Sequence, residues 1–205
     1  MMKNRRRIVV VGGSASGPKA AAKARRIDNS AEVTILQKEA DLSMASCGYP
    51  YYVGGYFEDR NMLICTPTGV VRDPKFYLNA KDIAAKVNTE VIAIDRSKRT
   101  VSFRHTVTGE TGEMAYDKLI LATGAVPRMP PIPGTDLQGI TTLQSMKDAD
   151  FLRKVRDERK IRKAAVIGGG LIGIETCEAL QLAGIEITAD DVLPDLLRDM
   201  GRELA

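Results

Sequence analysis

Short runs of apolar β-formers recur along the chain: Ile8–Val11, Glu32–Leu36, Lys118–Ala122, Ala165–Ile167 and Ile185–Ile187. Each is too short for a helix and reads as a strand. The first enters a small-residue turn, Gly12-Gly13-Ser14-Ala15-Ser16-Gly17, and the fourth enters Gly168-Gly169-Gly170-Leu171-Ile172-Gly173. A segment of helical composition follows each turn, Lys19–Ile27 and then Ile174–Ala183, and a second strand follows each helix. The chain therefore repeats strand, turn, helix and strand. Apolar strands alternating with helices imply a parallel sheet covered on both faces.

Between the repeats the period changes to two. Thr89–Asp95, Arg99–Thr106 and Glu113–Tyr116 predict three strands joined by the turns 96–98 and 108–112, an antiparallel meander. Pro127, Pro130, Pro131 and Pro133 with Gly134 then remove backbone donors and stiffen the chain, the mark of a linker. Ser145–Lys160 predicts an amphipathic helix with Ser145 as N-cap and Asp148 in its first turn. The expected organisation is a first domain over 1–126, meander 89–116 included, a linker over 127–144, and part of a second domain over 145–205.

Composition narrows the classes. With 44% hydrophobic and 27% charged residues the chain can bury a core, which excludes general disorder. No apolar run reaches the ~18–20 residues of a membrane span, and the run after Arg5-Arg6-Arg7 is too short for a signal peptide. A cytoplasmic location, with no membrane partner, is the expectation. A net charge of +4 and 5% aromatics argue against nucleic acid as a partner. Cys47, Cys65 and Cys177 are odd in number and lack short paired spacing, which argues against a disulfide framework or a metal site.

The two turns carry chemistry. Gly168-x-Gly170-x-Ile172-Gly173 fits G-x-G-x-x-G, in which the glycines permit the tight turn, the approach of a pyrophosphate and close helix–strand packing. The helix N-terminus then faces the phosphates. Asp191 closes the following strand at the place where an acid binds ribose hydroxyls and repels a 2′-phosphate, so NADH is expected over NADPH. The first turn places Ser14 at the second glycine position and Gln37 at the position of the acid. Asp190 brings a charge to what should be a buried parallel strand, a cost of several kcal/mol without a partner.

Cys47 lies in a polar loop, Ser43-Met44-Ala45-Ser46-Cys47-Gly48-Tyr49-Pro50-Tyr51-Tyr52, with Pro50 suited to open a helix. A thiolate at a helix N-terminus gains ~0.3–1 kcal/mol. This loop, the Gly-Gly-x-Ala-x-Gly turn at 12–17 with Ala24-Arg25-Arg26, the Ala122-Thr123-Gly124 triplet and Gly168–Gly173 followed by Glu175 resemble the flavin-dependent pyridine nucleotide-disulfide oxidoreductases. The branch is the one with a single redox cysteine, which includes coenzyme A-disulfide reductases, polysulfide or persulfide reductases and NADH oxidases or peroxidases. Pro50-Tyr51-Tyr52 favours the first two.

The resemblance implies an α/β fold: two Rossmann-like FAD- and NAD(P)-binding units with a β-meander, the second unit incomplete. It implies that Gly12, Gly13, Ser14, Ala15, Ser16 and Gly17 hold the FAD pyrophosphate, Gln37 and Lys38 the adenosine side, Val91 the adenine, and Ala122, Thr123 and Gly124 a second stretch of FAD. Gly168, Gly170, Ile172, Gly173, Glu175 and Asp191 would bind NADH. Cys47 would be the redox thiol, taking electrons that pass from NADH through FAD to a sulfur substrate. Lys19, Lys23, Arg26, Ser43, Ser46 and Lys75 match coenzyme A contacts. Spacing alone places Lys19, Lys23 and Arg26 on one helix face, suited to an anionic phosphate or simply to solvent. Cys65 and Cys177 are expected to be packed, and His105 to be a surface or pairing residue.

Family members are longer. Their remaining NAD domain, a returning FAD segment and a dimerisation domain would lie outside these 205 residues, and a homodimer is expected of the longer form. Two function classes stand: a flavin-dependent NAD(P)H oxidoreductase acting on coenzyme A disulfide, polysulfide or persulfide, with NADH oxidase or peroxidase as the alternative, and an inactive nucleotide-binding fragment.

Overall fold

The parallel strands of the first repeat form where the apolar runs predict them. In the computed structural model, which describes residues 5–191, β1 (Arg7–Val11) pairs with β2 (Glu32–Leu36) on one side and β7 (Lys118–Leu121) on the other. A short strand β3 (Ala84–Lys86) joins the far edge of β2, giving the order β3-β2-β1-β7, all parallel. Side chains alternate across the sheet. Ile8, Val10, Val33 and Ile35 pack with Ala21 of α1 (Ser16–Ile27) and Tyr77 of α3 (Pro74–Lys81). Val9 and Leu36 point the other way and pack with Val101 and Tyr116 of the meander region. The meander is β4 (Thr89–Asp95), β5 (Thr100–His105) and β6 (Thr111–Ala115), antiparallel in that order, with a bulge between Val91 and Ala93.

The second repeat builds a two-stranded parallel sheet of β8 (Lys163–Ile167) and β9 (Glu186–Asp190), with α5 (Leu171–Leu182) between them in sequence. The helix expected over 145–160 is α4 (Met146–Glu158). The Ser145 hydroxyl accepts from the Asp148 N–H and the Asp148 carboxylate accepts back from the Ser145 N–H, a reciprocal capping box. A further helix, α2 (Tyr49–Gly54), follows a 3₁₀ turn at Ser46–Gly48 and has proline in its first turn.

By packing, the chain divides into two units. One comprises residues up to Ala45 together with Asn61–Ala125, and the other Ser46–Arg60 together with Val126 onward. This division differs from the sequence-based one in two segments: the Cys47 turn and α2 pack within the second unit, and residues 127–144, expected as a linker, belong to that unit as well. The buried charge expected at Asp190 is not found, because β9 is solvent-exposed over most of its length and Asp190 with it. Cys65 is also not a core residue. It is half-buried at an isolated bridge with Val71, while its neighbours Leu63 and Ile64 are buried. Cys177 is partly buried on α5, which pushes its thiol pKa up. His105 ends β5 opposite Thr89, and its Nδ1 accepts from the Thr108 N–H at 3.1 Å.

The sheet of the first unit is locked at its base by one ion pair. Asp117, just before β7, accepts from the Arg7 N–H at 2.7 Å and from the Arg7 guanidinium at 3.0 Å. These bonds hold its carboxyl at about 2, below the ordinary 3.8. A carboxylate with a depressed folded pKa stabilises the fold fully above its unfolded value, and that contribution is lost as pH falls through the folded value. Asp117→Asn is therefore expected to lower the melting temperature at pH 7, with the gap to wild type closing between about pH 4 and pH 2 in thermal melts. A gap that stays constant over that range would count against the assignment.

Candidate functional site

Both glycine-rich turns have the same internal geometry. Gly12 N–H donates to the Leu36 carbonyl at 2.8 Å, and Gly168 N–H donates to the Asp190 carbonyl at 2.8 Å. Gly12 and Gly168 both adopt positive φ, +106° and +118°, which a side chain would strain. At Gly17 and Gly173 an added Cβ would overlap the carbonyl oxygen of Gly12 and Gly168 respectively. The residue that ends the second strand closes each turn. Gln37 Oε1 accepts from the Gly13 N–H at 2.8 Å, and the Asp191 carboxylate accepts from the Gly169 N–H. The substitution of amide for acid in the first repeat thus keeps the acceptor. Gln37 is 6% exposed, and its Nε2 also donates to the Asp41 carbonyl at 3.1 Å. Its first task is to hold the turn, a role its sequence position did not disclose.

Apart from the six-residue α2, which also lacks a side-chain cap, the helix N-termini separate into two kinds. α3 and α4 are capped by side chains, Asp73 accepting from Phe76 N–H at 2.7 Å and Ser145 from Asp148 N–H. α1 and α5 have no side-chain cap and no acid in the first turn. Orphan N–H groups and the positive end of the dipole are therefore left for an anion at the two glycine-rich turns and nowhere else among these four helices.

In the first unit the fold brings further expected residues to the turn. The Ala122 N–H donates to the Val11 carbonyl at 2.8 Å, and the Ala122 carbonyl fills the space a Cβ on Gly12 would need. Thr123 and Gly124 continue from there, exposed. Ser14, Ala15 and Ser16 are exposed at the mouth of the turn. At the end of β2, Lys38 pairs with Glu90 at 3.0 Å, next to half-buried Val91. Lys19, Lys23 and Arg26 are exposed on α1, and Lys75 is exposed on α3. Ser43, at positive φ (+54°), shares a hydrogen bond with the Tyr77 hydroxyl, a partner that sequence reasoning missed.

In the second unit a cavity of about 860 Å³ is lined by Gly168–Gly173 and Asp191, with Arg128 and the proline-rich segment on another side. Ile172 is exposed and Glu175 half-buried. This unit also carries Cys47, which is exposed, and Ser46 beside it. Tyr52 is buried behind them. Its hydroxyl donates to Asp150 at 3.2 Å, and burial together with that carboxylate raises its pKa, so it remains a neutral donor. Of the six residues matched to coenzyme A contacts, Ser46 lies in the second unit and the other five in the first.

A family model described as pyridine nucleotide-disulphide oxidoreductase matches residues 6–205. The chain belongs to that family. It is 37% identical over 183 residues to the coenzyme A disulfide reductase of Staphylococcus haemolyticus, covering 89% of this chain and 40% of the relative. Among solved structures it is similar to a NAD-dependent persulfide reductase from A. fulgidus, at TM-score 0.85 and 39% identity, covering 89% of this chain and 33% of that one. It is also similar to reduced CoADR-RHD of Bacillus anthracis, at TM-score 0.91 and 35% identity, covering 99% of this chain and 36% of that one. The chain thus spans less than half the length of the relatives it matches. The α/β fold of this family member is shared with those two solved structures. Among the described residues no helix is long and apolar enough to cross a membrane, and no group of residues is arranged to hold a metal ion.

Proposed function

We propose that this chain is the FAD- and NADH-binding part of an enzyme that reduces a coenzyme A disulfide, a polysulfide or a persulfide through Cys47. The observation that carries this reading is the pair of uncapped helix N-termini at matching glycine turns, set against two helices that cap themselves. It gains support from the names of the relatives, two of which act on disulfides or persulfides by title.

The residues of the first turn fit a flavin dinucleotide: a turn kept tight by close backbone packing at Gly12 and Gly17, small exposed residues Ser14–Ser16 at its mouth, and uncapped N–H groups at the start of α1. Gln37, Lys38 and Val91 would receive its adenosine, and Ala122–Gly124 a further stretch. Gly168, Gly170, Ile172, Gly173 and Glu175 would take NADH, with Asp191 disfavouring a 2′-phosphate. When bound, FAD supplies two-electron transfer from the nicotinamide to sulfur. Cys47 presents an exposed thiol. As thiolate its sulfur attacks one sulfur of a disulfide, the other sulfur leaves as thiolate, and two electrons and two protons then release the bound half. Lys19, Lys23, Arg26 and Lys75 offer cations to the phosphates of coenzyme A, with Ser43 and Ser46 as polar contacts.

The test is a visible spectrum of the chain after incubation with FAD and desalting, repeated under anaerobic conditions with NADH and with NADPH. A retained flavin band that NADH bleaches faster than NADPH is the expected result. A retained band that neither bleaches would remove the second unit's role, and no retained band would remove the first unit's.

A further inference from the structure

The Cys47 turn runs without a break from the 3₁₀ turn at Ser46–Gly48 into α2, Tyr49–Gly54. A helix of six residues does not hold itself, so its orientation is set by what grips it. The grip is one face of α4. Arg153 Nη1 donates to the Tyr52 carbonyl at 2.7 Å and to the Phe57 carbonyl at 2.9 Å, spanning the bend at Gly54-Gly55. Its guanidinium lies 4.9 Å from the centre of the Tyr52 ring and pairs with Glu58 and, at 3.3 Å, with Asp157. One turn along, Arg156 donates to the Val53 carbonyl at 3.0 Å and fills the space left by the missing side chain of Gly55. Arg153 is 7% exposed.

Burying an arginine costs desolvation that an aliphatic residue of similar size would avoid. What the guanidinium fork provides, and an aliphatic side chain does not, is simultaneous hold on two carbonyls on either side of a bend. On the reading that Cys47 is the redox thiol, we propose that Arg153 is a positioning residue for it. The thiol sits at the opposite end of the gripped segment, about 8 Å from Tyr52 at a helical rise of ~1.5 Å per residue. A tilt of about 10° at the gripped end moves the sulfur by about 1.4 Å, and a displacement of about 1 Å can already cost ~10²-fold in a reaction that demands orientation. Attack on a bound disulfide demands it, whereas alkylation by a small reagent needs only an exposed thiolate.

The experiment uses the 205-residue chain with Cys65 and Cys177 replaced by serine. Two rates are followed by intact mass: mixed-disulfide formation with coenzyme A disulfide, and alkylation by iodoacetamide. Arg153→Met is expected to slow the first by about 10-fold or more and change the second by less than about 2-fold. Arg153→Lys, which keeps the charge but not the fork, should fall between wild type and Arg153→Met, and it carries the test if the methionine variant does not fold. Unchanged rates with both reagents overturn the proposal. So does an equal change with both, the mark of a loosened fold. A parent chain that forms no mixed disulfide overturns the thiol reading itself, whereas a parent that reacts at Cys47 as fast as Arg153→Met leaves that reading standing and removes only the role of Arg153.

Discussion

Gly17→Ala is expected to cost the chain both its flavin and about 2–4 kcal/mol of stability, a fall of roughly 5–15 °C in melting temperature. The added Cβ would overlap the Gly12 carbonyl oxygen and lie 2.9 Å from the Gly12 carbonyl carbon and 3.3 Å from Val10 Cγ1. Two of these atoms are backbone, in the turn between β1 and α1, so relief requires the turn to open. Opening it would also break the Gly13 N–H bond to Gln37 and turn the α1 N–H groups away from the proposed site of the pyrophosphate. Gly170→Ala is the control. It meets nothing within 4 Å, and as N-cap of α5 it has φ of −77°, accessible to any residue. It should leave stability within about 0.5 kcal/mol of wild type while weakening NADH binding, because its missing side chain serves approach to a ligand and not packing. Equal melting temperatures for Gly17→Ala and Gly170→Ala would contradict the geometric argument.

The contrast between those two glycines shows what could be read from the sequence. Motif spacing marks both as glycine positions but does not say which contact each one serves. The repeat itself was legible because β1 and β8 each bring an apolar run into a glycine-rich turn, although only β1 is buried over most of its length. The N-cap of α4 was legible for a similar reason, since Ser145 and Asp148 stand three apart before an amphipathic segment. β3 left no such trace: Ala84-Ala85-Lys86 is a three-residue edge strand, formed because β2 offers it a free edge. α3 carried a usable signal that went unread, Asp73 as N-cap followed by Pro74 at the first helical position.

At the candidate site the residue types were legible and their internal partners were not. Gln37 read as an adenosine contact, yet its amide is engaged at both ends by Gly13 and Asp41. Asp190 read as a buried charge because the strand was assigned a full sheet, and with β8 its sole neighbour among the described residues the charge meets solvent. Arg153 was invisible for a more general reason. A basic residue on an amphipathic helix is by default solvated. Only the fold shows that α4 turns this one inward, onto the carbonyls that follow Cys47.

Cys47→Ser is expected to abolish disulfide chemistry outright, with a loss of at least about 10³-fold, because a serine hydroxyl is not ionised at neutral pH and cannot form the mixed disulfide. The side chain is exposed and lies outside both glycine turns, so flavin retention and the melting temperature should stay at wild-type values. That combination separates the role of the thiol from that of its neighbours. Cys177 sits on α5 with a thiol pushed up by burial, which disfavours thiolate at neutral pH, so Cys177→Ser should leave the reaction with coenzyme A disulfide intact. Cys65 is half-buried, with its Sγ 3.7 Å from the Met62 carbonyl oxygen, and Cys65→Ser should also be silent. The readout is the mass of the coenzyme A adduct on each variant of this chain, and turnover in a longer form that carries the remaining family segments. Adduct or turnover surviving in Cys47→Ser would move the chemistry to another sulfur. Its loss in Cys47→Ser alone would leave the turn at Ser46–Gly48 as the place where the electrons meet the substrate.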